Sequence, residues 1–216
     1  MTDDHEPIIK SALGEGWYQL PEILQRNFDL QPGRDGVIRL RGTMYEIWHS
    51  RMARVFIYLA RLTGALVPYE GRNIPIEIEM RTCADDAKYM HWRRVHQFPE
   101  HPDVVFETRM EYVSDNRIVE KVHLGMGLCM KVSVEGDVLK FRSPCYMWSI
   151  FGRRVHIPCW LLLGSGEITE RAVGPDSFEM FFEIHHPWFG PTYRYNGIFR
   201  LEQAEPGLRG FCGNTL

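Results

Sequence analysis

The sequence predicts an α+β chain that is mainly antiparallel β: a strongly curved sheet of roughly eight strands, or a lipocalin-like barrel, behind one or two N-terminal helices. Three observations carry that reading. From Pro68 nearly to the end, apolar residues recur with a period of two, the mark of half-buried strands. Turn residues punctuate this pattern at Asp85-Asp86, Pro99 to Asp103, Ser114-Asp115-Asn116 and Glu135-Gly136-Asp137. Helical spacing is confined to the first third of the chain, so strands and helices are segregated and not interleaved. Closing such a sheet removes its exposed edges.

Taken in order, residues 1–14 read as a loose leader with little periodicity. Pro21 suits the start of a helix, and Leu20, Ile23, Leu24 and Phe28 give it an apolar side; Gln31-Pro32-Gly33 stops it. Val37 to Arg41 is a short strand at most. The clearest helix begins between Met44 and Ser50 and runs to Thr63. Met52, Val55, Phe56, Leu59 and Leu62 make its apolar side, with Arg51, Arg54 and Arg61 elsewhere. Gly64 and Pro68 close it.

Strands follow. Ile76, Ile78 and Met80 alternate with Glu77, Glu79 and Arg81. Between Lys88 and Phe98, one side takes Met90, Trp92, Arg94, His96 and Phe98. Val104 to Tyr112, Arg117 to Leu124, Met126 to Val134 and Val138 to Arg142 continue the sheet. Ser143 to Gly166, broken by Pro144, Gly152 and Pro158, is less regular and is expected to form a lid or a short helix near Trp160. Phe178 to Ile184 and Tyr193 to Leu201 are the last strands, and residues 205–216 form a tail expected to be mobile.

At 216 residues the simplest organisation is a single domain spanning 1–216, long enough to bury a core without staples. A net charge of -3, with 25 basic and 28 acidic residues and no long run of either sign, argues against a nucleic-acid surface. The longest apolar run, Ile157 to Leu163, contains Pro158 and is too short to span a membrane. Cys83, Cys129, Cys145, Cys159 and Cys212 are an odd number without CxxC spacing; with no signal peptide they read as reduced thiols in a cytoplasmic protein.

The chemistry-bearing residues lie on strand faces. Ile118, Glu120, Val122 and Leu124 align, which puts a carboxylate within an apolar stripe. Unpaired, Glu120 would have its pKa raised toward neutrality; paired with Arg94 it would stay ionised and orient strands. Arg94 and His96 share a face with Trp92, so a fixed cation and a titratable imidazole stand against an aromatic wall. Tyr195 can offer a phenol, beside Tyr193 and Phe199. Met90, Met110, Phe182 and Trp148, with Trp92 and Tyr193, would line an adaptable apolar cavity. The histidines are scattered without H-x-H or H-E-x-x-H, and no metal is expected. No G-x-S-x-G elbow occurs, and Gly164-Ser165-Gly166 reads as a turn.

Trp92-Arg93-Arg94, Ile118-Val119-Glu120, Gly136, Ile157-Pro158-Cys159-Trp160-Leu161, Pro187 to Gly190 and Tyr195-Asn196-Gly197 occur in that order. This ordered set resembles the domain-of-unknown-function family four-one-six-six, from about Trp17 to Glu202. Val122-His123-Leu124 departs from the family pattern, in which Gly-Pro follows the glutamate region. Members resembling this chain occur alone or as C-terminal partners of Rossmann-type, saccharopine-dehydrogenase-like oxidoreductases. The resemblance therefore implies a possible oxidoreductase partner in the same pathway, and it supplies no mechanism. This chain has no G-x-G-x-x-G, so it is expected to act alone or on another enzyme's product.

Together these residues predict a small-molecule enzyme that performs cofactor-independent acid/base cyclisation or isomerisation of a polyketide- or terpenoid-like substrate, with Glu120, Arg94, His96 and Tyr195 as the catalytic set. A carrier for the same kind of hydrophobic molecule is the alternative. A solidly packed barrel would instead be a docking module.

Overall fold

The computed structural model describes residues 6–60, 66–150 and 153–206. Their strands are β1 (Gly36–His49), β2 (Ile74–Cys83), β3 (Asp86–His96), β4 (Val104–Ser114), β5 (Arg117–Lys121), β6 (Met126–Glu135), β7 (Val138–Ile150), β8 (Arg153–Pro158), β9 (Ser165–Gly174), β10 (Ser177–His186) and β11 (Gly190–Pro206). All pair antiparallel in the order β6-β5-β4-β3-β2-β1-β11-β10-β9-β7-β8, and β6 also pairs with β7. That last pairing closes ten strands into a barrel. β8 stays outside the closure, paired only with the end of β7 that β9 leaves free.

The expected eight strands are thus ten in the barrel and one beside it. Local periodicity misses three features. β1 runs on to His49 through a stretch read as the approach to a helix, with register shifts at Arg39/Leu40 and Met44/Glu46 that interrupt its alternation. The irregular region from Ser143 holds the end of β7 and all of β8, with only a single turn of 3-10 helix at Cys159–Leu161. β9 was not anticipated. Gly164 precedes it at φ +110°, where a Cβ would lie 2.1 Å from the His185 carbonyl oxygen, so glycine is needed for the chain to pass β10.

The three helices close the ends. Residues Ile8–Leu13, within the expected leader, form α1 with Ile8, Ile9 and Ala12 buried. α2 (Glu22–Asn27) follows Pro21 as predicted and leads to Phe28. Phe28 stands 6.1 Å from Trp92 of β3 and 6.2 Å from Phe141 of β7, ring centroid to centroid, so it crosses the barrel as a floor. α3 (Arg51–Ala60) sits at the other end, its start capped by Ser50, whose Oγ accepts from the Ala53 N–H at 3.2 Å. Ala53 and Ile57 are buried, while Val55, expected on the apolar side, is exposed. The predicted continuation to Thr63, residues 1–5 of the leader and residues 207–216 of the tail lie outside the described residues. Cys145 and Cys159 are free thiols, but Cys83 is disulfide-bonded, which corrects the expectation for that residue. No described helix is long and apolar enough to cross a membrane.

Candidate functional site

The barrel is hollow. A cavity of about 450 Å³ lies between the Phe28 floor and α3, and its wall is overwhelmingly apolar. A solidly packed docking barrel is therefore ruled out. At the floor, Asn27, Phe28, Leu40, Phe141 and Phe199 are all buried; toward α3, Trp148 both lines the cavity and is 39% exposed, so the opening is at that end.

Strand alternation brings three polar groups in from one side. Arg94 of β3, Thr108 of β4 and Glu120 of β5 come from consecutive strands and form a closed triangle. Arg94 Nη2 donates to Glu120 Oε1 at 2.9 Å, Thr108 Oγ1 donates to the same oxygen at 2.6 Å, and Arg94 Nη1 donates to Thr108 Oγ1 at 3.1 Å. The guanidinium also stands 4.4 Å from the Trp92 ring and 5.2 Å from that of Phe106, so a cation is held between aromatic faces. Of the two alternatives left open for Glu120, the ion pair with Arg94 is the one present.

Tyr195 enters from β11. Its hydroxyl is 2.6 Å from His96 Nε2, and His96 Nδ1 is 3.3 Å from the Val104 carbonyl oxygen. A carbonyl only accepts, so Nδ1 carries the proton, Nε2 accepts, and Tyr195 donates to His96. Burial, reinforced by the nearby Arg94 charge, lowers the His96 pKa to about 4 against the help of the Val104 contact. His96 is thus a neutral acceptor behind the wall. It does not line the cavity; Tyr195 does. Burial raises the phenol pKa of both Tyr195 and Tyr193.

The opposite wall holds a group that the sequence reading did not single out. Glu170 of β9 is buried, lines the cavity, and has one carboxyl oxygen, Oε2, without a hydrogen-bond partner among the described residues. Burial raises its pKa to about 8, with Arg94 pulling the other way. At neutral pH it is an uncharged acid that can give a proton. Two further cavity groups are buried without a partner among the described residues: the Asn27 side-chain amide, both Nδ2 and Oδ1, and the Trp92 indole N–H. Such groups each cost about 1–3 kcal/mol when left unmet, so they favour an occupant that carries hydrogen-bonding atoms.

Of the residues expected to bind substrate, Trp92, Met110, Tyr193, Phe182 and Trp148 line the cavity together with Arg94, Glu120 and Tyr195. Met90 is buried in the core but is not part of the wall. Glu170 was detectable: Ile168, Glu170 and Ala172 alternate with Thr169 and Arg171 just as Ile118, Glu120 and Val122 alternate with their neighbours. Asn27 carried no such signal, since nothing in a six-residue helix marks its last residue as a cavity floor.

One cluster among the described residues could hold a metal: Cys129, Cys145 and His156 bring their ligand atoms within 4.8 Å of one another. It arises from direct pairing, Cys129 opposite Cys145 and His156 opposite Met147. Tetrahedral zinc, with bonds of about 2.0–2.3 Å, would draw the ligands closer than that limit requires. The three residues are not part of the cavity wall.

No curated protein and no solved structure matches this chain. Residues 20–199, most of the barrel and its floor, match the family described as "Domain of unknown function (DUF4166)", and the chain belongs to that family.

Proposed function

We propose that the protein is a small-molecule enzyme that takes a largely apolar, oxygen-bearing substrate into the barrel and isomerises or cyclises it by moving protons, with no cofactor. The observation that carries the reading is Glu170, a buried carboxyl with a pKa raised to about 8 on the wall of an apolar cavity whose far side holds an ion-paired carboxylate. Two carboxyl groups kept in different protonation states by their surroundings are the arrangement acid/base chemistry needs.

In this reading the Glu170 carboxylic acid protonates a carbonyl or alkene of the substrate. Glu120, held by Arg94 and Thr108, takes a proton from a neighbouring carbon, and the reverse transfers reset the site. Arg94 stabilises negative charge that develops on oxygen. His96 is a positioning residue: it fixes the Tyr195 hydroxyl and is too weak a base to hold a proton itself. Asn27 and the Trp92 N–H orient the polar end of the substrate near the floor. Polyketide- or terpenoid-like carbonyl compounds fit an apolar cavity of this size. A separate oxidoreductase in the same pathway, working in the cytoplasm, would be a suitable source of such a compound.

Proton exchange tests this without knowledge of the natural substrate. A panel of apolar ketones and enones incubated in D2O is followed by NMR for deuterium uptake beside the carbonyl. The expected result is exchange by the wild type on at least one member, lost in Glu170→Gln while that compound still binds. Compounds that bind and return without exchange would make the protein a carrier instead.

A further inference from the structure

We propose that the open end of the barrel docks on an anionic phospholipid membrane, so that the cavity mouth faces the bilayer. Of the sixteen large apolar side chains exposed among the described residues, nine lie at this one end, on α3, the His123–Gly125 turn, the β7–β8 hairpin, the Cys159–Leu161 turn and the β10–β11 turn. The most exposed are Tyr58 at 71%, Trp188 at 70%, Leu124 at 68% and Phe189 at 60%, with Leu161 and Trp160 near half. A stable water-soluble surface rarely gathers such residues in one place.

The patch is built, not frayed. Trp160 and Trp188 touch, with ring centroids 5.7 Å apart, and buried His186 ties their turns together. Its Nε2 donates to the Trp160 carbonyl at 2.8 Å, and its Nδ1 accepts from the Trp188 N–H at 3.2 Å. Leu124 is held outward at φ 57°, its carbonyl accepting from the indole of Trp148 at 3.0 Å. Trp148 belongs to both the patch and the cavity wall, so the apolar surface runs continuously from the rim into the interior.

Charge selects the occupant. Arg51 opens α3 beside the β10–β11 turn, where the Ser50 N–H donates to the Thr192 carbonyl at 2.9 Å, and Arg153 begins β8; both are exposed. The acids at this end are largely neutralised, Glu70 by Arg54 and Glu183 by Arg194 and His185. Glu100 and Asp103 lie on the β3–β4 turn, outside the aromatic arc. Tryptophan, phenylalanine and leucine at loop tips with arginines among them suit the headgroup region of an anionic bilayer. Exchange of an apolar ligand between bilayer and cavity rests on the function proposed above; the docking itself does not.

The test is flotation of the full chain with vesicles of phosphatidylcholine, with or without phosphatidylglycerol, alongside uptake of a solvatochromic apolar dye into the cavity. The wild type should float with the vesicles, more strongly when phosphatidylglycerol is present, and its tryptophan emission should shift to the blue. Trp188→Ser with Phe189→Ser should weaken binding by about tenfold or more while dye uptake persists. Arg51→Glu and Arg153→Glu should each cost about fivefold on the anionic vesicles and little on the neutral ones. Failure of the wild type to float, flotation indifferent to the Trp188 and Phe189 changes, or a sedimenting dimer abolished by those changes would overturn the docking. Flotation without dye uptake would leave the docking standing and defeat the cavity reading.

Discussion

The two walls of the cavity treat the same residue type in opposite ways. On the β3–β4–β5 wall, Glu120 finds a guanidinium and a hydroxyl within 3 Å, and its charge is met. On the β9 wall, Glu170 Oε2 has no hydrogen-bond partner among the described residues, and burial keeps its proton on. Neither sequence neighbours nor strand type explains the difference, since both glutamates sit inward on antiparallel strands between apolar residues. Partners contributed by distant strands decide it. A carboxyl with its partners already in place is held as a charged base, whereas one left without them keeps a proton to give.

The largest way to break this contrast is to strip the satisfied wall. Arg94→Met leaves Glu120 enclosed without its cation and should destabilise the fold by about 3–5 kcal/mol in urea denaturation. Arg94→Met combined with Glu120→Met should recover most of that loss, because the cost is an unpaired buried charge and not the missing pair. A double variant as unstable as the single one would show that the triangle is needed for the fold itself.

The second contrast is in pH dependence. The folded-state pKa of Glu170, about 8, lies above its ordinary value of 4.5, so between those pH values the folded state holds a proton that the unfolded chain has lost. Stability from this group is full below about 4.5 and falls by about 1.4 kcal/mol per pH unit up to 8. His96 runs the other way: its pKa, lowered to about 4 from 6.5, makes stability rise with pH between those limits. The two slopes oppose each other up to about pH 6.5, and above it only the Glu170 decline remains. Glu170→Gln should abolish that decline between pH 6.5 and 8 and expose the His96 slope on the acid side, as chemical denaturation at several pH values would show.

Smaller effects sharpen the same comparison. Asn27→Leu removes an amide that has no partner among the described residues and should stabilise the empty barrel by about 1 kcal/mol, while weakening the binding of oxygen-bearing ligands relative to hydrocarbons. A loss of stability would mean that the amide is already met. Tyr195→Phe should cost about 1 kcal/mol for its one hydrogen bond to His96. The His96 imidazole should stay neutral at pH 6 in ¹⁵N spectra, since burial and not the phenol sets its protonation.

How much of this could be read in the sequence follows from which forces are local. The inward face of β3 was legible because Met90, Trp92, Arg94 and His96 share one side of the alternation, opposite Tyr89, His91, Arg93 and Val95, and the placing of Glu120 and Tyr195 follows from the same period of two. That periodicity could not supply Thr108 as a partner of Glu120, because their contact depends on the register between β4 and β5. The same alternation marks Glu170 between Ile168 and Ala172, but it does not show that β7 and β10 flank this strand and complete the wall around it. β8, six residues ending in a proline, counts as a strand only through its pairing with β7. The exposed aromatics at the rim were visible as residues, but their gathering at one end is a property of the closed barrel.

The central claim is that Glu170 is an uncharged acid facing a hollow interior, and its own titration tests it most directly. With δ-carbon-labelled glutamate, the signal that vanishes in Glu170→Gln should titrate with a midpoint near 8. A midpoint near the ordinary value of 4.5 would mean that this carboxyl is solvated or paired, and the proposed chemistry would lose its proton donor.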